Sequence, residues 1–158
     1  MIKSISYWSF SEGMSIEQRM RMAKEYGFEA IELTVEGEGE ITPESKPEDM
    51  QKFVDMASEI GLKLPTMATG LGWAFPAIGP DPDVCAKGIE IIRTALKLTA
   101  ALGAETFLVV PGTVTADYSY DEAYDDCVDV FMDLGEAAEE AGVYIGLEYV
   151  WNKFLLSP

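Results

Sequence analysis

The sequence contains no histidine among its 158 residues. This absence excludes, within this chain, any serine or cysteine nucleophile activated by histidine and any zinc site built on imidazole. Acid–base chemistry must therefore use carboxylates, tyrosine, lysine or cysteine. The two cysteines, Cys85 and Cys127, lie in helical patterns without a closely spaced partner, which in a cytosolic chain favours reduced thiols.

Basic residues are scarce, since 11 lysines and arginines face 28 aspartates and glutamates and the net charge is −17. No basic stretch is dense enough to follow a phosphate backbone. No apolar run reaches the roughly 18 residues of a membrane span, and the start MIKSISYWSF lacks the pattern of a secretory signal. We therefore expect a cytoplasmic protein with neither nucleic acid nor a membrane as a partner.

The sequence does contain a pattern that recurs four times, in which an amphipathic helix is followed by glycine and then by an apolar strand. The copies read AKEYGFEAIEL, ASEIGLKLPTM, AALGAETFLVV and EEAGVYIGLEY. The glycine ends each helix because it adopts the left-handed conformation at little cost. Ser15 and Ser119 fit capping boxes at helix starts, Asp81 precedes a proline, and Ser45 with Glu48 fits a cap more loosely.

These signals predict an alternation of five strands and four helices. The strands are expected at 2–8, 29–34, 63–68, 105–110 and 143–149, and the helices at 15–26, 46–60, 82–102 and 120–141. Right-handed crossovers then make the sheet parallel and cover it with helices, so the fold class is α/β. The longest connections follow the carboxyl ends of the strands, where we expect the binding face.

Two architectures fit this alternation, an open doubly wound parallel sheet and part of a (β/α)8 TIM barrel. The glycine-rich segments VEGEGEIT and TGLGWAFP both lack the third glycine of a dinucleotide-binding fingerprint, and no phosphate-loop lysine follows a strand. A complete barrel normally needs about 250 residues. We therefore predict a single partial TIM-barrel domain over residues 1–158, with five parallel strands and four helices.

Three segments, GFEAIEL, KGIEIIRTALKLTAALGAE and LEYVWNKFLLSP, together resemble the sugar-phosphate isomerase/epimerase family, relatives of the xylose isomerase-like barrels. The similarity covers the first five of eight strands. In that family the fifth strand ends in a glutamate that ligates a divalent metal and serves as one of two acid–base carboxylates, and Glu148 stands at that position. The resemblance implies magnesium or manganese in the complete barrel. The other ligands of the family come from the sixth to eighth strands, so we expect no metal on this chain alone.

The sequence departs from the family at three places. Relatives usually have asparagine where this chain has Tyr149, and commonly arginine where it has Cys85. Around Met67, some relatives carry a histidine that is absent here.

Aromatic residues follow two of the predicted strands. Tyr7, Trp8 and Phe10 end the first strand, and Trp73 lies in the longest loop. Aromatic rings stack well on the apolar faces of sugars, although such residues also serve as anchors of cores and loops. We retain all four as candidate substrate-binding residues.

Three polar residues are further candidates for substrate binding. Glu32, at the tip of the second strand, can contact substrate or orient a neighbour, and it can equally pair with a backbone amide or a lysine. Asn152 and Lys153 follow Glu148 closely enough to line the same cavity. Lys153 is the one cation expected on this face, so the family name does not establish a phosphorylated substrate.

Two hypotheses follow for the function of the chain. In the first, it is the N-terminal portion of a divalent-metal-dependent sugar or sugar-phosphate isomerase or epimerase, acting by proton transfer next to a carbonyl and inactive alone. In the second, it is a non-catalytic binding or self-assembling partial-barrel module. The unpaired edges of the first and fifth strands favour a homo-oligomer in either case.

Overall fold

A computed structural model describes residues 2–155, so position 1 and positions 156–158 of the predicted domain lie outside the described residues. The described range contains five β-strands and four α-helices in alternation. The strands are β1 (Ser4–Ser6), β2 (Ala30–Val35), β3 (Thr66–Thr69), β4 (Thr106–Val109) and β5 (Tyr144–Leu147). The helices are α1 (Ile16–Glu25), α2 (Gln51–Ile60), α3 (Pro82–Leu102) and α4 (Tyr120–Ala141).

The order of the strands in the sheet is their order in the chain, and every neighbouring pair is parallel. A doubly wound sheet reverses its strand order at one point, so that alternative does not fit this topology. With right-handed crossovers, the uniform order places all four helices on the same face of the sheet. The predicted α/β fold with parallel strands is confirmed, and its topology is that of a barrel segment.

The hydrophobic core lies between this helix-covered face and the helices. Successive side chains of a strand point to opposite faces, so alternate residues of each strand enter the core. The fully buried strand residues in the core include Ile31, Leu33, Met67 and Phe107, and they pack with Met20, Phe53, Leu96 and Leu134 of the helices. The opposite face carries the alternating residues, which include Glu32, Thr66 and Thr106.

The helix boundaries confirm most of the predicted capping signals. Ser15 and Ser119 form capping boxes, and the Asp81 carboxylate accepts hydrogen bonds from the first turn of α3. Gly61 ends α2 in the left-handed conformation, at a φ of 79°. The predicted cap at Ser45 is wrong, because a 3-10 turn, Pro47–Met50, precedes α2.

The first strand is shorter than predicted, and this correction concerns the site. β1 ends at Ser6, and Tyr7–Ser9 form a 3-10 turn. Arg19 on α1 holds this turn, because its guanidinium donates to the Tyr7 carbonyl over 2.8 Å and lies 3.7 Å from the centre of the Tyr7 ring. Within residues 2–155, none of the helices combines the length and apolar character needed to cross a bilayer.

Candidate active site

Glu148 lies at the carboxyl end of β5, one residue beyond the strand. Its backbone N–H donates to the Val109 carbonyl over 2.8 Å, so parallel pairing with β4 continues to this residue and fixes its backbone. Within the described chain, the partly buried carboxylate has neither a hydrogen-bond donor nor a cation as a partner. Burial, and secondarily the negative charge of Glu32, raise the pKa of Glu148 above the ordinary carboxyl value.

Glu32 on β2 and Glu148 lie on the same face of the sheet, the inner face, which is opposite the helices. Its carboxylate accepts a hydrogen bond from the Thr66 hydroxyl on β3 over 2.8 Å. Two other hydroxyls on this face, Ser6 Oγ and Thr34 Oγ1, are buried without a hydrogen-bond partner among residues 2–155. The inner face is therefore polar, and two of its hydroxyl groups lack hydrogen-bond partners among the described residues, which is typical of a surface that binds water or ligand.

A cavity of about 400 Å³ opens beside Glu148. Its lining residues are Trp8, Thr69, Gly70, Trp73, Val110, Glu148, Val150 and Trp151. The chain has three tryptophans, so all of them line this cavity. The cavity thus combines one carboxylate with a wall that is largely aromatic.

The tryptophans join three separate loops. The rings of Trp73, after β3, and Trp151, after β5, stack with centroids 5.6 Å apart and an angle of 3° between their planes. The Trp8 indole N–H donates to the Glu36 carboxylate over 2.9 Å, which ties the turn after β1 to the loop after β2. Trp151 was not among the predicted contacts, although its position three residues after Glu148 is a signal that could have identified it.

Tyr7 and Phe10 lie in a neighbouring depression of about 450 Å³, which Trp8 also lines. Arg19 in the wall of this depression is buried and donates to the backbone carbonyls of three residues: Tyr7, Ser11 and Met14. The structure therefore brings Trp8 and Trp73 together with Glu148, and leaves Tyr7 and Phe10 one cavity away.

Asn152 and Lys153 do not line either cavity, which corrects their predicted placement. Asn152 is fully buried, its side-chain amide donates to the Gly112 carbonyl over 2.9 Å, and its side-chain oxygen accepts from Val150 over 3.2 Å. Asn152 therefore anchors the segment after β5 to the loop after β4. Lys153 is exposed, with a φ of 59°.

The donor set near Glu148 agrees partly with a hard divalent cation. Carboxylate oxygens, such as those of Glu148 and Glu32, are the ligands that magnesium and manganese prefer. In the range 2–155, however, no three aspartate, glutamate or cysteine side chains cluster in a way that could hold a metal. Glu148 fits such an ion as one ligand of an incomplete set.

Comparison with protein families decides the evolutionary relationship. Residues 20–157 match the family model described as "Xylose isomerase-like TIM barrel". The chain belongs to this family. The predicted resemblance is therefore confirmed over most of the sequence.

Curated relatives in this family include L-ribulose-5-phosphate 3-epimerases UlaE. The protein of Salmonella paratyphi B is 26% identical over 133 residues, which cover 83% of this chain and 47% of that protein. The protein of Shigella flexneri is 30% identical over 88 residues, which cover 54% of this chain and 31% of that protein. The chain thus spans about half the length of such relatives, or less.

Solved structures show the same fold. A structure of L-ribulose 3-epimerase superposes with a TM-score of 0.76 and 20% identity, covering 95% of this chain and 50% of that one. The D-psicose 3-epimerase of Clostridium cellulolyticum H10 gives a TM-score of 0.75 and 16% identity over 95% and 53% of the two chains. The IolI protein, described with a binding zinc atom, gives 0.71 and 19% over 95% and 52%.

Proposed function

We propose that this chain supplies the N-terminal half of the active site of a divalent-metal-dependent sugar or sugar-phosphate isomerase or epimerase. The observation that carries the proposal is Glu148, an unpartnered carboxylate of raised pKa held at a strand tip beside an aromatic cavity. The relatives named as L-ribulose-5-phosphate 3-epimerases support the reaction class.

Glu148 would act as the acid–base group of the reaction. Its carboxylate takes the proton from the carbon next to the substrate carbonyl, and the electrons of the C–H bond move to the carbonyl oxygen to give an enediolate. A second acid–base carboxylate, expected from the later strands of the complete barrel, would return a proton to the opposite face of the same carbon to give the epimer. Return of the proton by Glu148 to the neighbouring carbon, with transfer of the hydroxyl proton between the two oxygens, would give the isomer. A divalent ion, when bound, supplies positive charge that stabilises the anionic oxygens.

The raised pKa of Glu148 suits this task. A base whose conjugate acid has a pKa closer to neutrality is a stronger proton acceptor and still returns the proton readily. Burial is the main cause of the shift and the Glu32 carboxylate the second, so we propose Glu32 as a residue that adjusts the basicity of Glu148.

The aromatic residues would position the substrate. We propose Trp8 and Trp73 as walls that stack on a sugar, and we add Trp151 because it is stacked on Trp73. Tyr7 and Phe10 would support the Trp8 turn from the neighbouring depression. Asn152 and Lys153 receive no substrate contact in this proposal, for the reasons of placement given above.

A fusion protein tests the role of Glu148. The chain would be joined to the C-terminal half of an L-ribulose-5-phosphate 3-epimerase, and the incorporation of solvent deuterium into the ketose measured by NMR. Glu148→Gln should reduce exchange roughly 100- to 10,000-fold, the range usual for loss of an acid–base group. Glu136→Gln, at an exposed acid on α4, is the matched control. Exchange that survives in Glu148→Gln would exclude Glu148 as the base.

The isolated chain should lack turnover and bind manganese weakly, because one or two carboxylates cannot satisfy a six-coordinate ion. Calorimetric titration with manganese measures this directly. Submicromolar binding that is lost in Glu148→Gln would show that the chain completes a metal site by itself.

A second candidate function, self-assembly, is favoured by the exposed apolar surface at the β5 edge. Tyr144 is 74% exposed and Leu147 is 42% exposed. Tyr124, Val128 and Met132 form an exposed stripe along α4, at intervals of four residues. A groove of about 550 Å³ lies between α4 and β5. We propose that a second copy of the chain covers this surface.

Hydrophobic burial should outweigh charge repulsion in such a dimer. An interface of about 800 Å² per partner stabilises by tens of kcal/mol before association costs, whereas screened repulsion between surface carboxylates amounts to a few kcal/mol. Light scattering after size exclusion at 0.15 M salt should show a dimer or larger species that dissociates at low salt. A monodisperse monomer that binds no hydrophobic dye would contradict self-assembly.

A further inference from the structure

The lining of the cavity beside Glu148 carries a single ionisable group. Glu148 is the one ionisable side chain among its eight lining residues, and the remainder are tryptophan, valine, threonine and glycine. A ligand in this cavity therefore meets one negative charge and no lining cation.

Arg19, in the wall of the neighbouring depression, and Lys153, after β5, do not line this cavity. The Arg19 guanidinium is buried and bonded to three backbone carbonyls. Lys153 is exposed. Two acidic groups, in contrast, lie close to the cavity. Glu36 is hydrogen-bonded to Trp8, which lines it, and burial and, secondarily, the negative charge of Glu32 raise the pKa of Glu148. A phosphate placed in this cavity would face carboxylates, and none of the lining side chains carries a positive charge to compensate it, which is costly in a partly buried site.

The indole rings offer a different kind of contact. The stacked rings of Trp73 and Trp151 are nearly parallel, and Trp151 is 80% exposed, so an aromatic surface borders the opening of the cavity. The C–H faces of a neutral sugar can pack on such a surface, and its hydroxyls stay hydrated or reach the carboxylate. The surroundings thus favour a neutral polyhydroxy ligand.

We infer that the part of the substrate held by this cavity is an uncharged sugar, and that Trp151 is a specificity-determining residue that selects it over a sugar phosphate. This inference rests on the proposed sugar site. It separates the chain from the relatives named for L-ribulose 5-phosphate, with which it shares the family.

Intrinsic fluorescence is a direct probe, because every tryptophan of the chain lines the cavity. The chain would be titrated with D-fructose and, separately, with D-fructose 6-phosphate at constant ionic strength. We expect the fluorescence to change saturably with fructose. Binding of fructose 6-phosphate should be weaker by roughly tenfold or more, because its phosphate would carry an uncompensated negative charge in the cavity.

Variants at Trp151 sharpen the test. Trp151→Ala should weaken fructose binding about fivefold, through loss of one aromatic contact. Trp151→Lys should raise the relative affinity for fructose 6-phosphate, because it places a cation at the opening. The exposure of Trp151 makes both variants tolerable for the fold, and circular dichroism would verify this. Tyr149→Ala, at an exposed neighbour that does not line the cavity, is the control.

Two outcomes would overturn the inference in different ways. Tighter binding of fructose 6-phosphate to the unaltered chain would contradict the selection of an uncharged sugar and leave the sugar site itself in place. A fluorescence spectrum that responds to neither ligand would contradict this inference, whereas the proposed sugar site is tested separately by deuterium exchange in the fusion protein.

Discussion

Strands β2 and β5 carry similar apolar sequences but differ in what covers them. Leu33 on β2 is fully buried, because β1 and β3 flank its strand and helices cover its outer face. Leu147 on β5 is 42% exposed, because β4 is its one neighbouring strand in the described chain. An apolar strand therefore indicates a buried position only when both of its neighbours are present.

Helices α3 and α4 differ in packing in the same way as strands β2 and β5. In α3, a β-carbon at Gly88 would overlap the backbone of Phe75 and Pro76, so the helix lies against the loop after β3. In α4, a β-carbon at Gly135 would meet no atom within 4 Å. The middle of the sheet is closely packed on its outer side, and the β5 end is open.

Truncation of one leucine at each strand should give the largest contrast. Leu33→Ala should lower the free energy of unfolding by about 2–5 kcal/mol, since it leaves a cavity in the core. Leu147→Ala should lower it by less than about 1 kcal/mol, as for an exposed position. Urea denaturation at low protein concentration measures both. Equal losses would show that the β5 edge is covered in solution.

The two glycines provide a second, smaller contrast. Gly88→Ala should destabilise by about 1–3 kcal/mol, because the new methyl group meets backbone atoms that cannot move aside. Gly135→Ala should stabilise by about 0.5–1 kcal/mol, through the higher helix propensity of alanine. Thermal unfolding at low protein concentration, at which self-assembly is dissociated, compares the pair. Destabilisation by Gly135→Ala would mean that α4 is packed against another surface at this position.

Glu148 should give the smallest effect on stability, with a distinctive dependence on pH. Its pKa is raised in the folded chain, so between the ordinary carboxyl pKa and the raised value the folded state binds more protons than the unfolded state. Stability contributed by this group is present below the ordinary pKa and is lost as pH rises through the raised value. Glu148→Gln should therefore increase the melting temperature at pH 7 and change it little at pH 4. A variant less stable than the parent chain at pH 7 would contradict this sign.

Local signals predicted most of the fold. Ser15 and Ser119 begin helices as expected, because a capping box involves only four consecutive residues. Gly61 likewise ends α2 through its own backbone conformation. The end of β1 was predicted too late, because the 3-10 turn at Tyr7 depends on Arg19, twelve residues away.

The site was predicted less completely, because its residues are brought together by tertiary contacts. Glu148 could be identified from its position at the end of an apolar strand within a family motif. Trp151 could not be paired with Trp73, since their stacking depends on two distant loops. Asn152 was assigned to the cavity although it bonds to Gly112, because a polar residue after a strand has the same sequence signature in either role.

The pairing of each strand with its predecessor also has a consequence for biosynthesis. Once β2 and α2 have left the ribosome, their pairing partner β1 is already available, and the same holds for every later strand. The sheet can therefore grow in the direction of translation, one strand and one helix at a time, with loops of modest length to close at each step. Synonymous codon changes that slow translation after a helix should then leave the yield of folded chain unaffected.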